Sequence, residues 1–535
     1  MVRMHPQPSV SVYNKLLSVT AKMNKYSFAL HVFDEMCQMG TPVNDYTRNI
    51  AINCYCRLKR VDLGFATMGF FLKKGYEPNG TTFSTLIKGL FLDEKVADAA
   101  KLFKKVLDSR LCEPHDVMIL TVIEGLCKAG QIFPAHDLFH GLERTRWKPD
   151  VKAYNALIDG LCKTGRVDDA FHLFSKMIDK GISPDVITYN SMIQGLCDVD
   201  RMKDVVGLLN QMVGSNVPFD VVTLTTLMDT YCKEGKVEEA KDLLEVMIQH
   251  NICPDVVTYN ALIDGFCLRG EIDKAKEVLD SMVDRNLNPT IVTYNSLING
   301  YCKRGRLDEA WVLFLDIPRM ELVHSTCTYN TMIHGFISKD RFAEGWKLFN
   351  DMEARRVSPD ICTYNTLLDG LCRNGKIDEA LSFLHTIEVK GVNPDILTYG
   401  VMINGLCKNG KHDVARDIFD QLPSKGLQPN IQIYTMIIDL LIQVISVDVV
   451  KPLLVEMEKC CCPPDSVTYN VIVQSLLKKD ELNNAIPFLK DMHQREFSAD
   501  HATFAMLIDR VQGQNEDDFL IKLMKNVMPK EIFKN

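Results

Sequence analysis

Apolar residues recur at i, i+3, i+4 and i+7 through stretches of about a dozen residues, and the stretches come in pairs that repeat every 35 positions. In 151–185, Tyr154, Leu157, Ile158 and Leu161 fall on one side of a helix, and Lys152, Asn155, Asp159 and Lys163 fall on the other. The pattern predicts a first helix over roughly Lys152 to Lys163, a break at Gly165, and a second helix from about Val167 to Ile178. Asp168 and Asp169 lie in the first turn of the second helix, where the helix dipole favours acids. Gly181 and Pro184 close the unit.

Two dipeptides set the phase. Tyr-Asn recurs at 154, 189, 259, 294, 329 and 364, and Pro-Asp at 149, 184, 254, 359, 394 and 464, all in one register. With position 1 placed just after Pro-Asp, repeats start at Val10, Asp45, Gly80, Asp116, Val151, Val186, Val221, Val256, Ile291, Thr326, Ile361, Ile396, Ile431 and Ser466. Thirteen of these have 35 residues and the third has 36. The expected organisation is a leader over 1–9, fourteen helix-turn-helix repeats over 10–500, and a degenerate capping repeat over 501–535 that keeps only the first half of the pattern. No linker or composition shift interrupts the chain, so one continuous all-α solenoid is expected. Position 20 is Ala or Gly in twelve of the fourteen repeats, which lets helices approach closely.

Composition narrows the function. The chain has 535 residues, 46% hydrophobic and 24% charged, which are globular values. Its 61 basic and 69 acidic residues leave a net charge of −8, so it is not a generic polyanion binder, and any nucleic-acid contact needs locally arranged cations. Such an arrangement exists. Position 13 is basic in nine repeats (Lys22, Arg57, Lys128, Lys163, Lys233, Lys303, Arg373, Lys408 and Lys478), and position 9 is polar in all fourteen. With positions 2 and 5 these form a polar, basic stripe, one row per repeat. The first residues contain no apolar signal-peptide core, and no run reaches the ~18 apolar residues of a membrane span. The eighteen cysteines are read as reduced, intracellular thiols.

The unit V-V-T-Y-N-x-L-I-x-G-L-C-K-x-G…A…L-F…M…G…P-D resembles the pentatricopeptide repeat, and its uniform length resembles the P-type subclass. The tetratricopeptide signature, with its period of about 34, is not found. The segments 8–36 and 52–57 look like the plant restorer-of-fertility-like branch. The resemblance implies a right-handed superhelical solenoid that binds single-stranded RNA in mitochondria, or alternatively chloroplasts, with one base read per repeat. In the family the fifth and last residues of a repeat contact the base and position 2 flanks it.

Carried onto this chain, Asn14/Asn44 and Asn49/Asn79 imply pyrimidines, cytosine favoured. Asn155/Asp185, Asn190/Asp220, Asn330/Asp360, Asn365/Asp395 and Asn470/Asp500 imply uracil. Thr225/Asp255 and Thr435/Asp465 imply guanine, Asn260/Thr290 a pyrimidine and Asn295/Ser325 cytosine. Ser84/His115, Leu120/Asp150 and Gly400/Asn430 are unread. The chemistry is consistent with this alphabet. Uracil and guanine offer a ring N–H that suits an acceptor-only aspartate, whereas cytosine and adenine offer a ring acceptor that suits Asn. A longer Asn at position 5 leaves room for a pyrimidine and a shorter Thr for a purine. With the N-terminal repeats at the RNA 5′ side, the expected site is 5′-YYNNUUGYCUUNGU-3′, where N is unread.

At position 2, Ile187, Val222, Val257, Val292, Leu397 and Val467 are candidates to sandwich base faces, whereas Ser11, Lys152 and Gln432 depart from the apolar rule. The phosphate candidates are the position-13 cations, in particular Lys128, Lys163, Lys233, Lys303, Arg373, Lys408 and Lys478.

Plainer readings stand beside these. A recurrent Asn or Asp near helix ends is usually a cap or turn former, and a lysine near a helix C-terminus is favoured there by the dipole alone. Nine cysteines sit at position 12, one per repeat, too dispersed to converge on a metal, and are read as buried small hydrophobes. Cys460-Cys461-Cys462 has no partner cluster. There is no H-x-E, no C-x-x-C and no Gly-rich phosphate loop, so no catalytic or cofactor role is expected.

The leading expectation is a non-catalytic, sequence-specific RNA binder that controls processing, stability or translation of an organellar transcript, alone or with a recruited nuclease or other processing factor. The alternative is a helical scaffold for protein partners. A nuclease ranks last, because the acids are spread along helix starts rather than clustered for metal ions. Only nine residues precede the first repeat, fewer than a transit peptide needs.

Overall fold

Each repeat begins where Pro-Asp or its equivalent stops one helix and caps the next. In the computed structural model, which describes residues 9–144, 147–444, 447–460 and 462–511, a helix starts at every one of the fourteen expected positions, from Val10 to Ser466. A further helix, His501–Val511, opens the expected capping repeat; the leader before Ser9, Cys461 and residues 512–535 lie outside the described residues. Among the described residues there are helices and turns and no strand.

The unit starting at Val151 shows the local logic. Its first helix is Val151–Lys163 and its second Val167–Asp179, within a residue of the expected bounds. Between them Gly165 takes a left-handed conformation (φ +72°). Other repeats tolerate a side chain at the same place, with Asn24, Asp200 and Asp340 at φ +59°. The expected core face is buried: Tyr154, Leu157, Ile158 and Leu161 have no exposed area.

The chain divides into two compact units, the first ending at Ala261 and the second starting at Leu262, inside the helix Val256–Arg269. Within each unit the first helix of a repeat packs on its own second helix and on the first helix of the next repeat. The small residue at position 20 permits this: Ala170 and Ala310 are fully buried, and a Cβ on Gly345 would sit 3.1 Å from Ile337. Position 10 does the same between repeats. A Cβ on Gly195 would lie 2.5 Å from Cys162 Cβ and 2.7 Å from its Sγ. Cys162, Cys302 and Cys372 at position 12 are therefore knobs on which the next repeat's glycine rests, whereas Cys197 and Cys407 are followed at that place by Thr230 and Leu440. Burial pushes the Cys162 and Cys302 thiols up to about 12, as expected of packing residues.

Charged pairs also join neighbours on the surface. Lys390 meets Glu353 at 2.8 Å and Lys425 meets Glu388 at 2.8 Å, in equivalent positions one repeat apart. Exposed pairs of this kind are worth only about 0–1 kcal/mol each.

Repeat 13 departs from the pattern. Its second segment opens with a 3-10 turn, Val447–Val449, and the α-helix Val450–Lys459 has 10 residues in place of 13. Val450 occupies the small-residue position and is fully buried. Hydrogen exchange is expected to be graded along each unit, with amides of 447–459 exchanging faster than those of 377–389 in repeat 11, because repeats share contacts only with neighbours. Equal protection of the two segments would contradict this.

Candidate nucleic-acid interface

The last residue of each repeat is the N-cap of the next first helix. Asp185 Oδ1 accepts from Thr188 N at 2.9 Å, Asp220 Oδ1 from Thr223 N at 2.9 Å and Asp360 Oδ1 from Thr363 N at 2.9 Å. The plain capping reading therefore holds. It does not exhaust these residues, because the cap brings the last residue against position 5 of its own repeat, 30 residues earlier. Asn155 Nδ2 donates to Asp185 Oδ1 at 3.0 Å, Asn190 to Asp220 at 3.0 Å and Asn330 to Asp360 at 2.9 Å. Asn14 Nδ2 reaches Asn44 Oδ1 at 3.3 Å. Asn365 likewise hydrogen-bonds the Asp395 carboxylate, whereas its own Oδ1 is buried without a partner.

A third residue completes the group, one that sequence reasoning missed. The threonine at position 3 of the following repeat donates to the position-5 amide oxygen: Thr188 to Asn155, Thr223 to Asn190 and Thr363 to Asn330, each at 2.6 Å, and Thr82 to Asn49 at 2.8 Å. Where position 5 is threonine, two hydroxyls meet: Thr225 and Thr258 at 2.8 Å, Thr435 and Thr468 at 2.9 Å. The signal was present as the T of the recurrent T-Y-N, read only as a phase marker.

The carboxylates stay charged. Burial pushes Asp185, Asp220 and Asp360 up, but hydrogen bonds from the Thr backbone N–H, the position-5 Asn and the Thr hydroxyl together outweigh it and hold each below the ordinary value. They are therefore acceptor-only groups at neutral pH, as the uracil assignment requires. Asp395 and Asp500 are lowered in the same sense. A carboxyl with a depressed folded pKa contributes stability that is complete above the unfolded value of about 3.9 and is lost as pH falls through the folded value. Stability is expected to be flat from pH 7 to about 5 and to fall below about 4, and Asp360→Asn is expected to make that acid limb shallower. A melt series in which wild type and variant lose stability in parallel below pH 4 would contradict it.

Other sequence-assigned residues are arranged differently. Position 5 is not part of an open stripe: Asn155 is only 7% exposed and Asn470 only 5%, because the seam between repeats closes over them. Asn470 donates to Ser466 O at 2.8 Å and accepts from the Asp500 backbone N–H at 2.9 Å, while Gln474 takes the Asp500 carboxylate. Asn295 Oδ1 is buried without a partner, and Ser325 caps Thr328 at 3.2 Å. Asn79 caps Thr82 N at 3.0 Å, Asp255 caps Thr258 N at 2.9 Å and Asp465 caps Thr468 N at 2.8 Å. Asn260 lies in the first compact unit and Thr290 in the second.

Position 2 stands out on the surface. Ile187, Val257 and Val467 are each 62% exposed, with Val222, Val292 and Leu397 at 52–57%. Isolated apolar side chains are ordinary, but a register-locked row of them is a patterned surface. Tyr46 and Val117 belong to the same row, and so do the exposed Cys327 and Cys362; the sequence reading passed over all four.

The cations at position 13 are divided. Lys163 pairs with Asp159 at 2.7 Å, Lys233 with Asp229 at 2.6 Å and Arg373 with Asp369 at 2.7 Å, one turn back on the same helix. Before Lys303, Lys408 and Lys478 that place holds Asn299, Asn404 and Gln474 instead, and before Lys128 it holds Glu124. Asp159 thus competes with a phosphate for Lys163. Among the described residues no group of three His, Cys, Asp or Glu side chains is placed to hold a metal ion, and no helix is long and apolar enough to cross a membrane.

Comparison with known proteins places this row in context. The model described as the PPR repeat family matches residues 8–57, 114–163, 149–198, 184–233, 219–268, 254–300, 289–322, 324–373, 359–408, 398–443 and 464–511, and the model described as the PPR repeat matches 74–106. A putative pentatricopeptide repeat-containing protein of Arabidopsis thaliana, named mitochondrial, is 39% identical over 102 residues, 19% of this chain and 17% of that protein. Protein Rf1, mitochondrial, of Oryza sativa subsp. indica is 30% identical over 115 residues, 22% of this chain and 12% of that one. The matches thus span less than a fifth of either relative's length. Among solved structures, the maize pentatricopeptide repeat protein PPR10 in complex with an 18-nt psaJ RNA element is 21% identical, covering 91% of this chain and 84% of that one with a TM-score of 0.42.

Proposed function

The chain belongs to the PPR repeat family, and from that premise we propose that it is a non-catalytic, sequence-specific binder of single-stranded RNA acting in mitochondria on the processing, stability or translation of a transcript. The observation that carries the reading is the recurrence, one repeat apart, of a recessed polar pair at positions 5 and 35 beside an exposed apolar side chain at position 2: Asn155/Asp185 beside Ile187 of the next repeat, and Asn190/Asp220 beside Val222. A base enters between two successive position-2 residues, and its Watson–Crick edge meets the pair. The pairs differ between repeats where a scaffold would need them alike. Mitochondrial action is supported by the names of the Arabidopsis and rice relatives, both of which carry the word mitochondrial, and a fertility-restoring role by the resemblance of segments 8–36 and 52–57 to the restorer-of-fertility-like branch. An RNA carrying UUGYCUU in register is expected to bind at least tenfold more tightly than its scramble, since each mismatch costs about 1–3 kcal/mol in nucleic-acid readers. Equal affinity for the two would overturn the reading.

Backbone contact is assigned to position 13. Each phosphate contact on a single strand contributes about −0.7 to the slope of log K against log salt. Lys303→Ala, with no acid one turn back, is expected to flatten the slope by about that amount. Asp159→Asn is expected to do the reverse, releasing Lys163 and tightening all RNAs alike. Slopes unchanged in both variants would remove the phosphate role and leave the helix-end explanation.

A further inference from the structure

The three pairs that fall outside the base-reading alphabet share a second departure. The residue at position 3 of the repeat that follows is Met118 after Ser84/His115, Ala153 after Leu120/Asp150, and Ile433 after Gly400/Asn430. After all eleven readable pairs it is threonine. Capping explains only part of the correlation. The threonine completes a capping box by accepting from the N-cap backbone N–H, as Thr188 does from Asp185, yet Asp150 caps Ala153 N at 3.0 Å and Asn430 caps Ile433 N at 3.0 Å with no hydroxyl at that place. Helix propensity explains none of it, since threonine is a poor helix former and alanine the best. A fully buried hydroxyl such as that of Thr188 is costly unless its hydrogen bonds are made.

The bonds it makes form a closed, directed ring. The Asp185 backbone N–H can only donate, and it donates to Thr188 Oγ1 at 3.1 Å. The hydroxyl donates onward to Asn155 Oδ1 at 2.6 Å, with Asp185 Oδ1 as the farther acceptor at 3.0 Å, and Asn155 Nδ2 donates to Asp185 Oδ1 at 3.0 Å. The same ring closes at Asp220–Thr223–Asn190 (3.3, 2.6 and 3.0 Å) and at Asp360–Thr363–Asn330 (3.1, 2.6 and 2.9 Å). Because the backbone N–H can only donate and the aspartate carboxylate can only accept, the direction of the ring is fixed. It pins the position-5 amide with oxygen inward and nitrogen toward the aspartate, and leaves its second N–H for the base.

We propose that a position-3 threonine that closes this ring, as Thr188, Thr223 and Thr363 do, is a positioning residue for recognition of the preceding repeat's base, so that the reading unit there is a three-residue ring crossing the repeat boundary; Asn295 and Asn365, whose Oδ1 atoms have no partner, lie outside it. The proposal rests on the RNA-reading function above. Without the hydroxyl the amide oxygen loses its donor, and the bond from its nitrogen to the aspartate alone holds the amide. Specificity at one base is then set partly by the next repeat, and a position-5 substitution succeeds only in front of a threonine.

The test is base preference, measured position by position on one long RNA site. Thr188→Val keeps the side-chain shape and removes the hydroxyl. It is expected to lower uracil preference at the fifth base by about tenfold, as loss of a buried partner does, with the sixth base unaffected and Thr188→Ser restoring the preference. Full fifth-base preference in Thr188→Val, or a uniform loss at every position, would overturn the proposal. A gain-of-function arm avoids dependence on stability. A Cβ at Gly400 would make only ordinary contacts, 3.6 Å from Ile433. Gly400→Asn with Ile433→Thr is expected to create a pyrimidine preference of about tenfold at the twelfth base, whereas Gly400→Asn alone is not. Equal gain in the single and double variants would overturn it. Absence of any fifth-base preference in the wild-type protein would instead refute the RNA-reading function, and the proposal with it.

Discussion

In the Thr225→Asn protein the seventh base is expected to change from guanine to uracil. Thr225 lies among Asn/Asp pairs, with Asn155/Asp185 and Asn190/Asp220 in the two preceding repeats. Its environment is already complete: Asp255 caps Thr258 N at 2.9 Å, the Thr258 hydroxyl bonds Asp255 at 3.0 Å and meets Thr225 at 2.8 Å, and Val222 flanks the site, 52% exposed. Asparagine at 225 would rebuild the ring seen twice beside it. Both bases share a ring N–H for Asp255 to accept, so the discrimination is steric: the longer amide fills the space that a purine needs. A mismatch of about 1–3 kcal/mol converts to roughly tenfold or more in relative affinity, and here it should reverse sign. Binding of wild type and variant to UUGYCUU and UUUYCUU versions of one site checks it. The same ranking of the two RNAs by both proteins would show that the register or the reading role is wrong.

Gly195→Ala is expected to destabilise the first compact unit by about 1–3 kcal/mol, the usual cost of overpacking a close-packed contact. The new methyl would lie 2.5 Å from Cys162 Cβ and 3.2 Å from its Cα, so a neighbouring helix must move, not only a side chain. The control is Gly207→Ala, on the second helix of the same repeat, where nothing lies within 4 Å of the added atom. There the gain in helix propensity should stabilise by up to about 1 kcal/mol. Because Gly195 rests on the helix that carries Asn155, the first variant should also weaken reading of the fifth base. Chemical denaturation that ranks the two variants equally would refute the packing assignment.

The repeat boundaries were legible because each is marked by two local signals in fixed phase, an Asp-type cap and a buried tyrosine three residues into the helix. Tyr154, Tyr189 and Tyr329 are all fully buried, and each starts where the Pro-Asp phase put it. The proposed reading pairs were assigned through resemblance to a family. What could not be read was how the pairs are held. Helical phase placed Asn155 on the polar face, but phase describes one helix, and the seam that buries it belongs to two. Thr188 was taken as part of a consensus for the same reason, since its partners are 3 and 33 residues away. Likewise the cationic row at position 13 looked uniform in sequence, yet an aspartate one turn back occupies Lys163, Lys233 and Arg373. In repeat 13, Gln443 and Val450 replace the usual Lys and small residue, but that departure did not foretell the 3-10 turn at Val447–Val449.

Selection of bound sequences from a random single-stranded RNA pool tests the central claim most directly. The account predicts enrichment of one ungapped motif containing UUGYCUU, with the uracils set by Asn155/Asp185 and Asn190/Asp220 in front of the guanine set by Thr225/Asp255, and unconstrained bases at the third, fourth and twelfth places. Recovery of no consensus, or of one whose guanine cannot be aligned with Thr225, would contradict it.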